Sequence, residues 1–374
     1  MTIPLFKPSY DQEELESLRE PFKSGWIGLG PKTKEFEDLF KEYSRSQFAV
    51  GTNSATSALH LAMTLLDIEG AEVITTPMTF VSTNHAILYE KGIPVFADIE
   101  PDTLNIDANE IEKLITPKTR AIVCVDYGGH PCDMDRINEL AKRHNLSVVE
   151  DAAHSCGSSY KGKPVGSLTN LTTFSFHAVK NLATGEGGMI TGNNIDWDKV
   201  LRKRRWLGID KSTFDRSITD KGYHWYYDVE ELGYKYHMSD IAASLGIVQL
   251  RKLDAKNARR REIANIYNQA FADLPWLETP TVKDYAFSSS HNYVVKIKTK
   301  DEDRDRLVEY LLENEISAGV HYIPNHLYPL YRPYYRKLAV TESVWKRIVS
   351  LPMFSDLTDS EINYIIDKIK AFKV

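Results

Sequence analysis

The sequence has little cysteine, no long apolar run and no excess of positive charge. Its three cysteines, Cys124, Cys132 and Cys156, are too few for a disulfide framework or a cysteine-rich metal site. No apolar stretch approaches the roughly 20 residues that a membrane-spanning helix needs. The net charge is −6, with 26% charged residues of both signs, so the composition gives no indication of nucleic-acid binding. These absences favour a soluble protein of a reducing cytoplasm.

Several local motifs are also missing or incomplete. The N-terminal residues lack a charged segment followed by an apolar one, so we expect no signal peptide. His321 and His326 have no third ligand nearby, and we therefore expect no metal site. The stretch 157–164 resembles a phosphate-binding loop, but Pro164 stands where a hydroxyl residue must hold magnesium. This stretch predicts a hairpin instead.

What the sequence does contain is an alternation of strand and helix patterns between about residues 48 and 195. It predicts an α/β domain with a mostly parallel sheet, in which ligands bind at the carboxyl ends of strands. A long helix at about 239–267 then leads into a second alternation of α+β character, with a predicted strand at Ile316–Tyr322. From this change and the chain length we expect a large domain at 1–250 and a smaller C-terminal domain at 251–374. The polar and aromatic stretch Trp206–Glu231 is predicted to be a long loop.

The segment Thr172–Met189 presents one lysine at the end of a half-buried strand. The alternation Phe-Ser-Phe-His predicts the strand, and Lys180 follows it in a polar turn. A lysine in that position would be desolvated and thereby made nucleophilic, although most lysines in proteins are simply solvated. The glycine-rich patch Gly185–Gly188 comes next and permits close backbone approach.

Other predicted strand ends carry residues suited to an aromatic, anionic ligand. Asp151 ends an apolar strand, where it would pair with a cationic ring nitrogen, and His154 follows three residues later. A helix cap or turn explains Asp151 equally well in isolation. Phe80, just past another strand, would stack on a planar ring, but core packing is the commoner role of phenylalanine.

A candidate anion site lies at the start of the helix that follows Asn53. Free backbone N–H groups and the helix dipole favour an anion at Ala55 and Thr56, and the hydroxyl of Ser175 would add a donor. Capping alone would also place Ser and Thr there. An anion cradle, a ring-nitrogen partner, a ring cover and an amine together match one cofactor, pyridoxal 5′-phosphate (PLP).

With these residues in view, the sequence resembles the DegT/DnrJ/EryC1/StrS family of PLP-dependent nucleotide-sugar aminotransferases over nearly its full length. The segments that carry the resemblance are Gly25–Ile27 with Gly30–Pro31, Asn53–His60, Glu150–His154, Phe174–Asn181, Gly185–Gly188, Gly233–Tyr236 and Val320–Tyr322. The resemblance implies an aspartate-aminotransferase-like fold (PLP fold type I) and a homodimer with active sites at the subunit interface.

The resemblance also implies roles for individual residues. Lys180 would bind the cofactor's aldehyde carbon and act as general base. Asp151 would keep the pyridine nitrogen protonated, and His154 would hydrogen-bond the phenolic oxygen. The remaining cofactor contacts would be the phosphate ligands Ala55, Thr56 and Ser175, and Phe80 over the ring.

The implied reaction has two halves: L-glutamate converts PLP to pyridoxamine 5′-phosphate (PMP), which then aminates a nucleotide-linked keto sugar. The segment FSFHAVKNLATGEGG resembles the corresponding segment of family members that aminate C4″ of a 4-keto-6-deoxy sugar in surface polysaccharide or glycoconjugate synthesis. C3″ amination is the alternative. A PLP-dependent sugar dehydratase of the same fold would have His in place of Lys180, and a non-catalytic regulator would have lost Lys180 or Asp151.

One position departs from the family pattern. After Gly-Tyr-Lys-Tyr many relatives carry Asn, thought to reach the partner's phosphate, whereas this chain has His237. An imidazole still donates a hydrogen bond, and a cationic one would bind phosphate more strongly. Candidate sugar contacts are Trp26, Ile27, Lys235, His321 and the aromatic loop around Trp225, for which packing at a dimer interface is the alternative.

Overall fold

A computed structural model describes residues 2–217 and 225–374. The strands, in chain order, are β1 Phe48–Thr52, β2 Glu72–Thr75, β3 Ile93–Phe96, β4 Thr119–Val125, β5 Ser147–Asp151, β6 Ser159–Tyr160, β7 Lys163–Pro164, β8 Leu171–Ser175, β9 Gly188–Gly192, β10 Leu277–Glu278, β11 Ala286–Phe287, β12 Tyr293–Ile297 and β13 Ile348–Leu351. The α-helices are α1 Gln12–Ser17, α2 Arg19–Ser24, α3 Pro31–Ser44, α4 Ala55–Met63, α5 Val81–Tyr89, α6 Ala108–Leu114, α7 Met134–His144, α8 Ile195–Arg204, α9 Thr213–Ser217, α10 Asp240–Phe271, α11 Asp301–Glu313, α12 Ala339–Val344 and α13 Asp359–Ala371.

The main sheet has the strand order β1-β9-β8-β5-β4-β2-β3. Strand β9 runs antiparallel to both neighbours, while β8, β5, β4, β2 and β3 pair in parallel. The predicted α/β architecture with a mostly parallel sheet is confirmed. Because parallel strands end at the same edge, Asp151 of β5 and Ser175 of β8 are brought to one side of the sheet.

Helix α10 is a single 32-residue element that contributes to two hydrophobic cores. Its Leu253 packs in a core of the N-terminal part, while Ile263, Tyr267 and Phe271 pack in the C-terminal core. Ile3, near the N-terminus, also packs in the C-terminal core. The boundary expected at residue 250 therefore falls inside a continuous helix, and the domain division stays a prediction.

The predicted strand at Ile316–Tyr322 is wrong. This segment makes only isolated bridges, between Ile316 and Ile3 and between Gly319 and Ser350. The reason is that the backbone bonds of this segment are divided between two partners. The Ser317 N–H donates to the carbonyl of Ile3, whereas Gly319 exchanges hydrogen bonds with Ser350 of the outer strand β13, so neither pairing extends into a strand. The pattern analysis did not identify β13.

Two other sequence predictions have clear outcomes. The stretch 157–164 is a hairpin, as predicted, because β6 pairs antiparallel with β7. The predicted loop Trp206–Glu231 instead contains α9 and an antiparallel bridge between Ile209 and Val229, and its residues 218–224 lie outside the described residues. No helix in the described ranges is both long and apolar enough to cross a membrane.

Candidate active site

A cavity of about 420 Å³ opens at the carboxyl edge of the main sheet. Its volume is within the roughly 300–1,000 Å³ of small-molecule sites. The sequence-predicted residues that line it are Ala55, Thr56, Phe80, Asp151, His154, Ser175, Lys180 and His321. Trp26, Ile27, Lys235 and His237 are not among the lining residues of this chain's cavity.

Lys180 reaches the cavity through a tight turn after β8. Its backbone N–H donates to the carbonyl of His177 at 2.9 Å, which closes the turn and directs the chain back toward β9. Burial lowers the pKa of the Lys180 amine to about 8, although the nearby Asp151 carboxylate opposes the shift. A substantial fraction of this amine is therefore neutral and nucleophilic near physiological pH.

Asp151 is buried at the end of β5, with both carboxylate oxygens bonded. Oδ2 accepts from the Thr83 hydroxyl at 2.7 Å, and Oδ1 accepts from the Ala153 N–H at 3.1 Å. Burial raises the pKa of Asp151, while the two hydrogen bonds and the Lys180 charge pull it down. A cation placed beside this carboxyl would favour its ionised form further.

The start of α4 forms one end of the cavity. The Ser54 hydroxyl caps the helix by accepting from the Ser57 N–H at 3.1 Å, and the amides of Ala55 and Thr56 belong to the first turn, which has no intrahelical acceptors. A Cβ at Gly188 would lie 2.5 Å from the Ser54 carbonyl carbon. Only glycine allows β9 this close to α4, and β9 pairs Gly188 with Ser175.

The glycine-rich patch therefore acts through packing. It brings the Ser175 hydroxyl to the same end of the cavity as the α4 amides, as Gly188 links the two elements. This is the origin of the convergence that the sequence predicted for Ala55, Thr56 and Ser175.

Phe80 stands at the start of α5 with 58% of its surface exposed. Its ring centroid lies 6.3 Å from that of Tyr322. A large aromatic side chain left this open at a cavity is available to cover a planar ligand.

His154 is neutral and its two nitrogens have distinct partners. Nδ1 accepts from the Gly128 N–H at 3.4 Å, so Nε2 carries the proton and donates to the Tyr322 hydroxyl at 3.0 Å. Burial, with the charge of Lys180, lowers the pKa of His154 well below its ordinary value. A bond from Nε2 to a cofactor oxygen would require an exchange of the Tyr322 partner.

Among the other lining residues, four come from segments that the strand-end analysis did not connect with the cavity. They are Phe6, His291, Asn292 and Tyr322. Phe6 comes from the N-terminus and the other three from the C-terminal part, so no local pattern relates them to the strand ends. The only sequence signal was the position of Tyr322 beside the predicted contact His321.

The other predicted contacts lie outside the lining of this cavity. The Trp26 ring packs 5.0 Å from that of Phe214, and the Lys235 Nζ lies 3.8 Å from the centroid of the Trp206 ring. His237 also packs on Trp206 at 4.5 Å. Trp206 thus joins Lys235 and His237 in one cluster.

The role expected of His237 at the partner's phosphate stays a prediction. Burial, followed by the charges of Lys235 and Arg205, lowers the pKa of His237 to about 4, so the ring is neutral at pH 7. Its buried Nδ1 has no hydrogen-bond partner within the described part of the chain. A neutral ring still offers a hydrogen bond to a ligand.

The cavity as a whole fits PLP. Gly188 packs too closely on the α4 cap for any Cβ and so holds the free amides of α4 beside Ser175. Asp151 is a buried carboxyl able to pair with a ring nitrogen, and Lys180 supplies an amine of lowered pKa. When bound, PLP supplies an electron sink for bonds at the carbon that carries the transferred nitrogen. The fold and the site together are those of a PLP-dependent enzyme of fold type I.

Comparison with known proteins identifies the family. Residues 8–370 match the model of the DegT/DnrJ/EryC1/StrS aminotransferase family, and the chain belongs to this family. It is 39% identical to the spore coat polysaccharide biosynthesis protein SpsC of Bacillus subtilis, over 98% of this chain and 96% of SpsC.

Solved structures of similar proteins support the same family assignment. The PMP form of the putative sugar aminotransferase Spr1654 from Streptococcus pneumoniae superposes with a TM-score of 0.93 at 32% identity, covering 98% of both chains. PseC of Helicobacter pylori, an aminotransferase of pseudoaminic acid biosynthesis, gives a TM-score of 0.92 at 30% identity, over 99% of this chain and 98% of PseC. The protein is a PLP-dependent sugar aminotransferase.

Proposed function

We propose that the protein transfers the amino group of L-glutamate to C4″ of a nucleotide-linked 4-keto-6-deoxy sugar. The observation that carries the chemistry is the meeting of Lys180 and Asp151 in one cavity with the amides of α4. The choice of C4″ is supported by the sequence segment around Lys180. The similarity to SpsC supports a role in surface polysaccharide synthesis, which we place in the cytoplasm.

In this proposal the cavity residues divide the work between them. Lys180 would hold PLP through its aldehyde, and its neutral amine would act as the base that moves the proton at the substrate carbon. Asp151 would be held ionised by a protonated pyridine nitrogen and would keep that nitrogen protonated. Ala55, Thr56 and Ser175 bind the phosphate, and Phe80 excludes water from one ring face.

We also propose a homodimer in which each subunit completes the site of the other. Trp26, Ile27, Lys235 and His237 do not line this chain's own cavity. Ile27 is 48% exposed, and Leu232, three residues before Lys235, is 81% exposed. Apolar surface of this kind favours association. In the dimer these residues would contact the partner's sugar, and His237 would give its unpaired Nδ1 to the partner's phosphate.

The test is a substrate panel. The holoenzyme is incubated with L-glutamate and UDP-, GDP- or dTDP-linked 4-keto-6-deoxy sugars, and NMR of the product locates the new amino group. We expect nitrogen at C4″ for one nucleotide series, and no product with Lys180→Ala. Nitrogen at C3″ would contradict the proposed position, and turnover by Lys180→Ala would contradict the role of the lysine.

A further inference from the structure

His291 is a buried histidine in the aromatic wall of the active-site cavity. Its ring stacks on Phe6 with centroids 5.6 Å apart and an interplanar angle of 4°, and it lies 4.6 Å from the ring of His154. Only 2% of its surface is exposed, and it lines the cavity just before β12 begins. The described reaction steps make no use of this ring.

A chain of hydrogen bonds fixes the protonation of His291. Asn257 donates through Nδ2 to the carbonyl of Cys156 at 3.0 Å, so its Oδ1 is the end that accepts from Asn181 at 2.7 Å. Asn181 also donates through Nδ2 to the carbonyl of Ser289 at 3.1 Å. Its Oδ1 is therefore an acceptor, and the His291 Nδ1 donates to it at 2.8 Å.

It follows that His291 has its lone pair at Nε2. Burial, with the nearby charge of Lys180, lowers the pKa of the ring well below its ordinary value, so the ring stays neutral and Nε2 remains an acceptor. Asn181 directly follows Lys180, and the same turn that presents the amine thus sets the tautomer of His291.

Asn292 contributes an unsatisfied side chain to the same part of the cavity lining. Its side chain is 8% exposed, and both the amide nitrogen and the amide oxygen are buried without a hydrogen-bond partner among the described residues. Buried carboxamides are rarely left unpaired, and each such group calls for a ligand or an ordered water. Asn292 lines the cavity together with His291.

We propose that His291 and Asn292 bind a hydroxyl group of the sugar substrate, with Asn181 as the residue that positions His291. A hydroxyl donates to the His291 Nε2 and also accepts from the Asn292 amide. The carboxylates of glutamate only accept, and they would face the lone pair of His291. The inference rests on the sugar as amino acceptor but not on the position of the keto group.

Matched variants of His291 separate this role from packing. His291→Gln keeps a polar atom near the Nε2 position, whereas His291→Asn keeps only a donor near the Nδ1 position. The two half-reactions are followed by stopped-flow absorbance of the cofactor, with L-glutamate on the PLP form and with the sugar accepted from the panel on the PMP form. We expect His291→Asn and Asn292→Leu to slow the sugar half-reaction by roughly tenfold, as for one lost hydrogen bond, with His291→Gln closer to wild type.

The glutamate half-reaction is the internal control. Its rate should be unchanged in all three variants, because in this proposal His291 and Asn292 contact the sugar and not glutamate. Equal loss in both half-reactions would assign His291 to the cofactor or to folding and would overturn the proposal, as would no loss in either.

A second measurement needs no sugar. Long-range ¹H–¹⁵N NMR of the holoenzyme should show His291 protonated at Nδ1, and this preference should be lost in Asn181→Leu, which removes the acceptor of that proton. A proton on Nε2 in the wild-type protein would overturn the inference even if the panel yields a substrate. Failure of the whole panel with the expected tautomer would count against the proposed substrate instead.

Discussion

The lowered pKa of Lys180 makes the cofactor-free protein testable in its own right. Burial lowers this pKa from 10.5 to about 8. At pH 8 about half of the Lys180 amines are then neutral, compared with roughly 0.4% for a solvated lysine. Competitive acetylation across pH 6 to 11, with mass spectrometry of each lysine peptide, reports this pKa against the exposed lysines as references.

The variant Asp151→Asn tests the cause of the shift. The Asp151 carboxylate raises the pKa of Lys180 and so offsets part of the burial effect. Removing that charge should move the acetylation profile of Lys180 to lower pH. Glu186→Gln makes the same chemical change at an exposed cavity residue and should leave the profile in place. A profile near pH 10 in the wild type, or a shift to higher pH in Asp151→Asn, would refute the reasoning.

Three further predictions concern binding and stability. Gly188→Ala should weaken PLP binding, measured by absorbance titration, because its Cβ would lie 2.5 Å from the α4 cap. Gly28→Ala is the control: nothing lies within 4 Å of a Cβ at that position, so this variant should bind PLP normally. Glu37→Gln leaves the buried Arg205 without its carboxylate partner, and urea unfolding should show a loss of about 3–5 kcal/mol. Burial raises the pKa of Asp126 to about 6, so the folded state holds this proton more tightly than the unfolded chain and its contribution to stability falls as pH rises from 4 to 6. Urea unfolding of Asp126→Asn should lack that part of the pH dependence, and an unchanged dependence would place its origin elsewhere.

The residues that sequence analysis located are those at the ends of parallel strands. Asp151 and Ser175 follow apolar runs, and the sheet topology alone brings such ends together. The start of α4 was found for the same reason, since it directly follows β1. In these cases a local sequence pattern is enough to locate the residue, because the topology of the sheet fixes where the end of the strand lies.

No local sequence pattern indicated the cavity residues that come from the N-terminal segment and the C-terminal part of the chain. Phe6 and His291 are far apart in sequence and meet only because the N-terminal segment packs into the C-terminal core, as Ile3 does. The tautomer of His291 depends on Asn181 and on α10, which are also distant in sequence. Contacts of this kind come from the packing of whole elements, and periodicity in one segment carries no information about them.

The continuity of α10 has a mechanical consequence. A helix of 32 residues spans about 48 Å and contains no proline, the usual cause of a sharp kink. Because residues of α10 pack in both of these hydrophobic cores, a hinge rotation of one core against the other would have to bend the helix. Entry of a bulky substrate is therefore expected to depend on movement of loops and side chains at the cavity mouth, with the two cores moving as one body.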